Sequence, residues 1–216
     1  MMGKVAMNKS LFENQQMRLQ LVANAVQQQF PENFLQITWP LNELTLVCSP
    51  VDIKQLLMFL KQDASCLFDQ LIDLCGVDHL SQPKRFEVVY HLLSLRNNIR
   101  VRLKLPLSLG EPVSSIVDLF PNAGWYERET WDLFGIPFEG NPDMRRLLTD
   151  YGFEGHPLRK DFPLTGYVEV RYDEAQKKVV YEPVKLAQEF RRFDFISPWE
   201  GMLQLPGDEK AKGSKP

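Results

Sequence analysis

Apolar residues in the first 150 positions recur with the period of helices in some segments and of strands in others. One helical face of apolar residues predicts a helix over residues 14–30. The apolar residues of this face are Met17, Leu21, Ala25 and Val26. Residues 99–105 instead alternate strictly between apolar and basic side chains, which predicts a strand with one buried face.

Shorter segments with strand or helix character complete this part of the chain. Strands are predicted over residues 34–39, 43–48, 66–75 and 85–95, with Gly76 closing the third of them. Helices are predicted over residues 51–62, 113–120 and 124–134, and Gly135 is the residue type that ends a helix. The mixed order predicts an α+β fold, a compact domain with a small sheet and packed helices.

The composition changes near residue 150. Residues 150–216 hold 10 of the 24 aromatic residues, 6 of the 15 prolines and 6 of the 12 glycines. Proline and glycine oppose a regular core, whereas aromatic side chains oppose disorder. We therefore expect a globular domain over residues 1–149 and a long extended arm over residues 150–206 that docks on another surface. We expect one hairpin in the arm, with strands 167–172 and 178–181, and a disordered tail over residues 207–216.

Composition and charge exclude several classes of protein. Hydrophobic residues make up 44% and charged residues 25% of the chain, as in soluble globular proteins. A net charge of −3 argues against nucleic acid as a partner. The chain has no apolar run of the roughly 20 residues that span a membrane, and its N-terminus does not resemble a signal peptide. Three widely spaced cysteines are typical of buried thiols in a reducing compartment.

The sequence lacks the common motifs by which a chain carries its own active site, metal or nucleotide. There is no paired-cysteine motif, no glycine-rich nucleotide loop and no zinc-protease or hydrolase signature. The three histidines share no ligand spacing. We therefore expect no catalytic residue, no metal ligand and no cofactor-binding residue in this chain.

The predicted helix over residues 124–134 is one of two dense clusters of aromatic and charged residues. Its residues leave no clean polar face, so we expect it to be covered on more than one side. Buried charges must find partners. Arg128 and Asp132 have the spacing of a helical ion pair, and Arg145 and Arg146 are further candidates.

The second cluster, residues 150–164, is too irregular for a helix or a strand. It combines aromatic residues, prolines, a histidine and charges of both signs. Aromatic residues and arginine in an extended segment are typical of the core of a protein–protein interface. The two clusters together predict a subunit whose extended arm packs along the surface of a partner protein.

These clusters resemble a known family. The segments ERETWDLFG at 127–135 and PDMRRLL at 142–148 are similar to the signature of the thirty-kilodalton subunits of respiratory complex I, the NADH–quinone oxidoreductase. The resemblance continues almost without interruption to Glu200, and it is weaker over residues 1–65, where only the order of elements fits. This chain has Asn141 where the family usually has His or Lys, which removes a possible cation.

The resemblance implies a peripheral-arm subunit beside the quinone-reaction module of a proton-pumping enzyme that passes electrons from NADH to quinone. FMN, the iron–sulfur clusters and quinone would belong to the holo-complex and not to this chain. The partners would be the large quinone-site subunit and the subunits that hold the terminal clusters. The location would be peripheral, at the cytoplasmic side of a bacterial inner membrane or the matrix side of a mitochondrial one.

We therefore predict that the two clusters and the arm carry contacts between subunits and no catalysis. The predicted contact residues are Glu127, Arg128, Trp131, Asp132, Arg145, Arg146, Tyr151, Phe153, His156, Arg159, Lys160, Asp161, Arg171, Arg191 and Trp199. Three other interpretations stay open at this point: a related subunit of a membrane-bound hydrogenase-type complex, an RNA-binding module, and a free-standing enzyme.

Overall fold

A five-stranded mixed sheet lies in the first of the two units into which the chain divides, Met1–Gly166 and Tyr167–Pro216. The structure, a computed structural model, describes residues 2–30 and 34–188. The strands of the sheet are β1 (Phe34–Thr38), β2 (Thr45–Cys48), β3 (Gln70–Asp78), β4 (Phe86–Ser94) and β5 (Ile99–Leu107). Their order across the sheet is β1-β2-β5-β4-β3, in which only β2 and β5 are parallel.

Helical residues and one face of the sheet form a single hydrophobic core. The helices are α1 (Met2–Gln29), α2 (Ile53–Gln62) and α3 (Ala123–Phe134). The core combines α1, α2 and the alternate residues of β4 and β5. This arrangement confirms the predicted α+β fold. None of the helices in residues 2–30 and 34–188 is both long and apolar enough to cross a membrane.

The opposite face of the sheet is polar and carries ion pairs between strands. Lys104 of β5 lies 2.9 Å from Glu87 of β4, and Arg102 lies 2.7 Å from Glu43, which precedes β2. The alternation predicted over residues 99–105 is therefore confirmed, because its apolar side chains enter the core and its basic side chains lie on the other face, where Arg102 and Lys104 form ion pairs.

Of the predicted face of α1, only Val26 lies in the core. Leu19, Val22 and Val26 lie in the core, whereas Met17 and Leu21 are more than half exposed. The residues at 19, 22, 23 and 26 satisfy the helical period as well as the predicted set does. Helical spacing alone does not choose between two such faces, and packing against the sheet decides which one is buried.

Two further elements were predicted wrongly. Residues 113–120 do not form a helix: Val113–Ser114 is a short strand, β6, which pairs with β7 (Phe138–Glu139), and turns follow it. The strand predicted over residues 66–75 begins later and continues through Gly76 to Asp78, so Cys66 lies in a turn. In both places backbone pairing between distant segments overrides the local pattern.

The described part of the second unit is an antiparallel hairpin. Its strands are β8 (Val168–Asp173) and β9 (Lys178–Pro183), joined by four turn residues, so the predicted hairpin is present. The remaining arm residues, 189–206, and the tail over residues 207–216 lie outside the described residues. The predicted domain limits at 149 and 206 stay predictions.

Close packing of α3 on β3 depends on Gly76. A Cβ atom at this position would lie 2.7 Å from Cδ2 of Phe134 and 3.1 Å from Cγ2 of Thr130. The first distance is shorter than carbon–carbon contacts in proteins, and the second would require Thr130 to move by a few tenths of an ångström. The close approach of α3 to β3 therefore depends on the missing side chain at residue 76.

We expect Gly76→Ala to lower the free energy of unfolding by about 1–3 kcal/mol, because the added methyl group overpacks the contact with α3. Gly152→Ala is the matched control, since a Cβ atom there meets nothing within 4 Å. Urea unfolding of the purified chain measures both. Equal stability of the two variants would show that α3 does not pack closely on β3.

Candidate functional site

The site is built on α3 and on the segment that returns to it, residues 141–162. Gly135 ends α3 in the left-handed conformation, with a φ of 74°, and its N–H donates to the carbonyl of Trp131. A Cβ atom at Gly135 would also lie 2.5 Å from the ring of His156. Glycine is therefore required both to end the helix and to admit the returning segment.

Glu127 is fully buried beneath β6 and the start of the returning segment. Its carboxylate accepts hydrogen bonds of 2.8 Å from the Ser115 hydroxyl, the Ile116 N–H and the Asn141 amide. No cation among the described residues forms an ion pair with it. Burial raises the pKa of Glu127, and the three hydrogen bonds only partly oppose that shift.

Asp132 is also fully buried but has a different environment. One carboxylate oxygen accepts from three successive backbone N–H groups, those of Leu147, Leu148 and Thr149, at 2.7–3.0 Å. The other oxygen accepts from the Thr149 hydroxyl at 2.6 Å and from Arg146 at 2.9 Å. Burial alone would raise the pKa of Asp132, but these donors prevail and hold it well below its ordinary value.

Arg146 joins several parts of the returning segment. Besides Asp132, its guanidinium donates to the carbonyl of Gly155 at 2.9 Å. It also lies 5.5 Å from the ring centre of Trp131 and 5.9 Å from that of Phe153. One ion pair, between buried Asp132 and half-buried Arg146, therefore connects α3 to both ends of residues 146–155.

The predicted ion pair between Arg128 and Asp132 does not form. Arg128 instead donates to the carbonyls of Arg145 and Arg146, both at 3.1 Å, and lies 3.4 Å from Asp143. The donors from 146–149 already occupy Asp132. Sequence spacing identified both residues as charge partners but could not show which charges meet.

Residues 156–161 are attached both to the end of α3 and to the edge of the sheet. His156 Nδ1 lies 2.9 Å from the carbonyl of Asp132, and Arg159 donates to the carbonyl of Phe134 at 2.6 Å. Burial lowers the pKa of both side chains. The Lys160 N–H donates to buried Asp78 at 2.7 Å.

Arg85 connects this end of the segment to β3 and β4. Its guanidinium makes two hydrogen bonds of 2.8 Å to Asp78 and two, of 2.6 and 2.9 Å, to Asp161. A guanidinium shared by two carboxylates fixes the position of both chain segments. The side chains of Arg159 and Asp161 therefore have partners within this chain, as does the backbone N–H of Lys160.

Other predicted contact residues are exposed. The side chain of Arg145 is 73% exposed, although it pairs with Asp143 at 2.7 Å, and Tyr151 is 94% exposed. The side chain of Lys160 is exposed as well. Arg171 lies on β8 of the second unit, and Arg191 and Trp199 fall outside the described residues.

Several residues of the site were not predicted from the sequence. They are Asp78, Arg85, Ser115, Asp143 and Thr149, together with the exposed Trp125, whose ring lies 5.2 Å from the Arg128 guanidinium. An isolated Asp or Arg beside a strand carries no pattern that marks it as a partner of a segment about 80 residues away. Among the described residues, no group of three or more His, Cys, Asp or Glu side chains could hold a metal ion.

Residues 46–168 match the family of the respiratory-chain NADH dehydrogenase 30 kDa subunit, over more than half of the chain. The chain belongs to this family. Among its relatives is the NADH-quinone oxidoreductase C subunit from Methylobacterium sp. (strain 4-46), 63% identical over 79% of this chain and 80% of the relative. The protein of the same name from Xanthobacter autotrophicus is 61% identical over 81% of this chain and 84% of the relative. The resemblance found in the sequence is confirmed.

One solved structure extends the comparison to the three-dimensional fold. It is the membrane-bound sulfane sulfur reductase, an archaeal respiratory membrane complex, in which one chain is 25% identical to this one with a TM-score of 0.56. The match covers 67% of this chain and 85% of that chain. The thirty-kilodalton subunit family therefore shares its fold with a chain of another respiratory membrane complex.

We expect Asp132→Asn to lower the free energy of unfolding at pH 7 by about 3–5 kcal/mol, because it removes a fully buried charge and leaves the half-buried Arg146 without its partner. The folded-state pKa of Asp132 lies below its ordinary value of 3.8, so its contribution is present above that pH and decreases as the pH falls. The deficit of the variant should therefore shrink between pH 7 and pH 3 in urea unfolding.

Glu129→Gln is the control for Asp132→Asn, because Glu129 is a half-buried carboxylate on the same helix. Its effect at pH 7 should stay small, since no ion pair of Glu129 is among the salt bridges of the described residues. A deficit of Asp132→Asn that is equal at pH 7 and pH 3 would mean that the Asp132 charge does not hold the returning segment.

Glu127→Gln should show the opposite dependence on pH. The folded-state pKa of Glu127 lies above its ordinary value of 4.5, so ionisation destabilises the fold as the pH rises above 4.5. A neutral amide at this position avoids the cost of burying a charge, but it has one hydrogen-bond acceptor fewer than the carboxylate. We therefore expect the free energy of unfolding to change by no more than about 1 kcal/mol. In urea unfolding between pH 4 and pH 8, the stability of the variant relative to the unaltered chain should increase with pH. A trend in the other direction would contradict a raised pKa.

Proposed function

We propose that this subunit supports the assembly of NADH–quinone oxidoreductase and holds part of its quinone-reaction module, while other subunits carry the reaction. In this proposal electrons pass from NADH through FMN and iron–sulfur clusters to quinone outside this chain, and the complex pumps protons. The observation that carries the proposal is the returning segment, whose buried charges are satisfied within the chain while Arg145 and Tyr151 face outward.

The geometry of the site suits a binding surface better than a reactive centre. Glu127 and Asp132 are fully buried and already accept several hydrogen bonds each, so neither is available to a substrate. Their contacts instead fix the backbone of residues 141–149. An exposed arginine and tyrosine on a fixed backbone lose little freedom on binding, and both residue types are enriched where binding energy concentrates.

The proposed partners are the large quinone-site subunit and the subunits that hold the terminal clusters. Through them the chain would sit peripherally at the inner membrane, on its cytoplasmic side. The related subunit of a hydrogenase-type complex remains the alternative. The relatives with about 60% identity, which bear the name of an NADH-quinone oxidoreductase subunit, favour the first proposal.

We expect Arg145→Glu to reduce the amount of assembled complex and, in proportion, the NADH–quinone activity of membranes. The reversed charge would repel Asp143 and any acidic group of a partner that Arg145 meets. Native gel electrophoresis of detergent extracts measures assembly. The loss should be several-fold, on the scale of 1–2 kcal/mol of binding.

Arg96→Glu is the control, because Arg96 is exposed in the turn between β4 and β5. The purified Arg145→Glu chain should unfold at the same urea concentration as the unaltered chain, which separates a lost contact from a lost fold. Normal assembly together with normal activity would remove Arg145 from the proposed interface.

A further inference from the structure

Glu127 is a buried carboxyl group without a compensating positive charge. It is fully buried, and within the described part of the chain it accepts from three neutral groups, those of Ser115, Ile116 and Asn141, each 2.8 Å away. Asp132, on the same helix, has the arginine that Glu127 lacks. A buried carboxyl group without a cation holds a proton more readily than it holds a charge.

The partners of the two carboxyl oxygens determine where such a proton can lie. Oε1 accepts from the N–H of Ile116, whereas Oε2 accepts from the amide of Asn141 and the hydroxyl of Ser115. The two N–H groups can only donate, but a hydroxyl group can either donate or accept. A proton on Oε2 can therefore be donated to Oγ of Ser115 along the existing contact, and the other two hydrogen bonds are kept.

Ser115 connects this buried carboxyl group to solvent. Its own exposure is only 5%, but it lies at the wall of a cleft of about 600 Å³. The wall also includes Lys54, Asp118, Glu139 and Gly140. The ammonium group of Lys54 lies 2.8 Å from the Asp118 carboxylate, which already provides its partner. The Ser115 hydroxyl is thus the group that contacts both the cleft and Glu127.

The other titratable groups near Glu127 do not stabilise its charge. Tyr90 of β4 is fully buried, and its hydroxyl has no hydrogen-bond partner among the residues that the structure describes. Burial raises the pKa of Tyr90, and the charges of Glu127 and Cys48 add to that shift. Burial also raises the pKa of Glu127, and the carboxylate of Asp118 acts in the same direction.

We propose that Glu127 and Ser115 form a proton-binding site, which exchanges one proton with the cleft and whose cover, residue 141 and the turn at 115–116, opens when the proton leaves. On binding, the hydroxyl proton of Ser115 passes to Oε2 of Glu127, and Oγ takes a replacement proton from a hydronium ion in the cleft. Release reverses both transfers and leaves a buried carboxylate. Opening of the cover then lets water reach that charge. The inference does not depend on the proposed function.

Proton release and opening are linked thermodynamically. In the open state Glu127 is hydrated, and its pKa has the ordinary value of 4.5, whereas in the closed state its pKa is higher. Between these two values the closed state holds one proton more than the open state. The equilibrium constant for opening should therefore rise about tenfold for each pH unit in this range and become constant above it.

Nuclear magnetic resonance of the purified full-length chain tests the proton itself. Titration of the glutamate side-chain carboxyl carbons gives a midpoint for each residue, and Glu127→Gln identifies the signal of Glu127. We expect this midpoint to lie more than about one pH unit above those of the exposed glutamates. A midpoint equal to theirs would overturn the inference. If Glu127→Gln does not fold, through-bond assignment in the unaltered chain identifies the signal instead.

Amide hydrogen exchange tests the cover. The N–H of Ile116 reports on opening because it donates to Glu127. After correction for the pH dependence of exchange in an unprotected amide, its opening should rise about tenfold per pH unit in the unaltered chain and stay constant in Glu127→Gln. Glu129→Gln is the matched control, a half-buried carboxylate on the same helix, and should keep the dependence of the unaltered chain.

Three results of the exchange experiment would overturn the inference. Opening that does not change with pH in the unaltered chain would show that release of the proton does not open the cover. A dependence on pH that persists in Glu127→Gln would show that another group controls the opening. A dependence that is lost equally in Glu129→Gln would attribute the effect to the total charge of α3 and not to Glu127.

Discussion

The buried carboxylate of Asp132 is the constraint on which the path of the chain after α3 depends. It lies in the last turn of the helix, where the helix dipole disfavours a negative charge, and burial removes its hydration. The helix itself offers no donor that compensates for either cost. The donors come from residues 146–149, so the chain must turn back at Gly135 and pass over α3 again. The contacts of His156, Arg159 and Asp161 then extend that path to the sheet edge.

Glu127 and Asp132 show that equal burial on one helix does not mean equal electrostatics. Asp132 has an arginine and backbone N–H groups, whereas the donors of Glu127 are all neutral. Asn141 provides one of these donors, and its amide supplies a hydrogen bond without a positive charge. The shifts in pKa consequently have opposite signs. The start of the returning segment, at Asn141, is held by neutral hydrogen bonds, whereas residues 146–149 are held by an ion pair and backbone donors.

Periodic and local features of this protein could be predicted from the sequence, and the partners across distant segments could not. The strict alternation over residues 99–105 identified a strand because every side chain repeats the same environment. Gly135 was recognised as a helix end because its conformation is a local property. By contrast, Val113 and Ser114 pair with residues of β7, and Asp78 meets Arg85 and the N–H of Lys160. Such contacts depend on the path of the whole folded chain, which the spacing of residues in the sequence does not determine. The same limit explains why Arg128 and Asp132 were identified as charge partners but not correctly paired.

The two units differ in which of their side chains lack a suitable environment. In the first unit, the buried charges of the returning segment have their donors or ion-pair partners within the chain. In the hairpin, the polar side chains are satisfied and the apolar ones are not. Burial of apolar surface contributes most of the favourable free energy when proteins associate. Charges that are paired within a chain mainly fix the local structure of its surface. The two units therefore differ in what they leave in water, because the first pairs its buried charges internally whereas the hairpin exposes an apolar face.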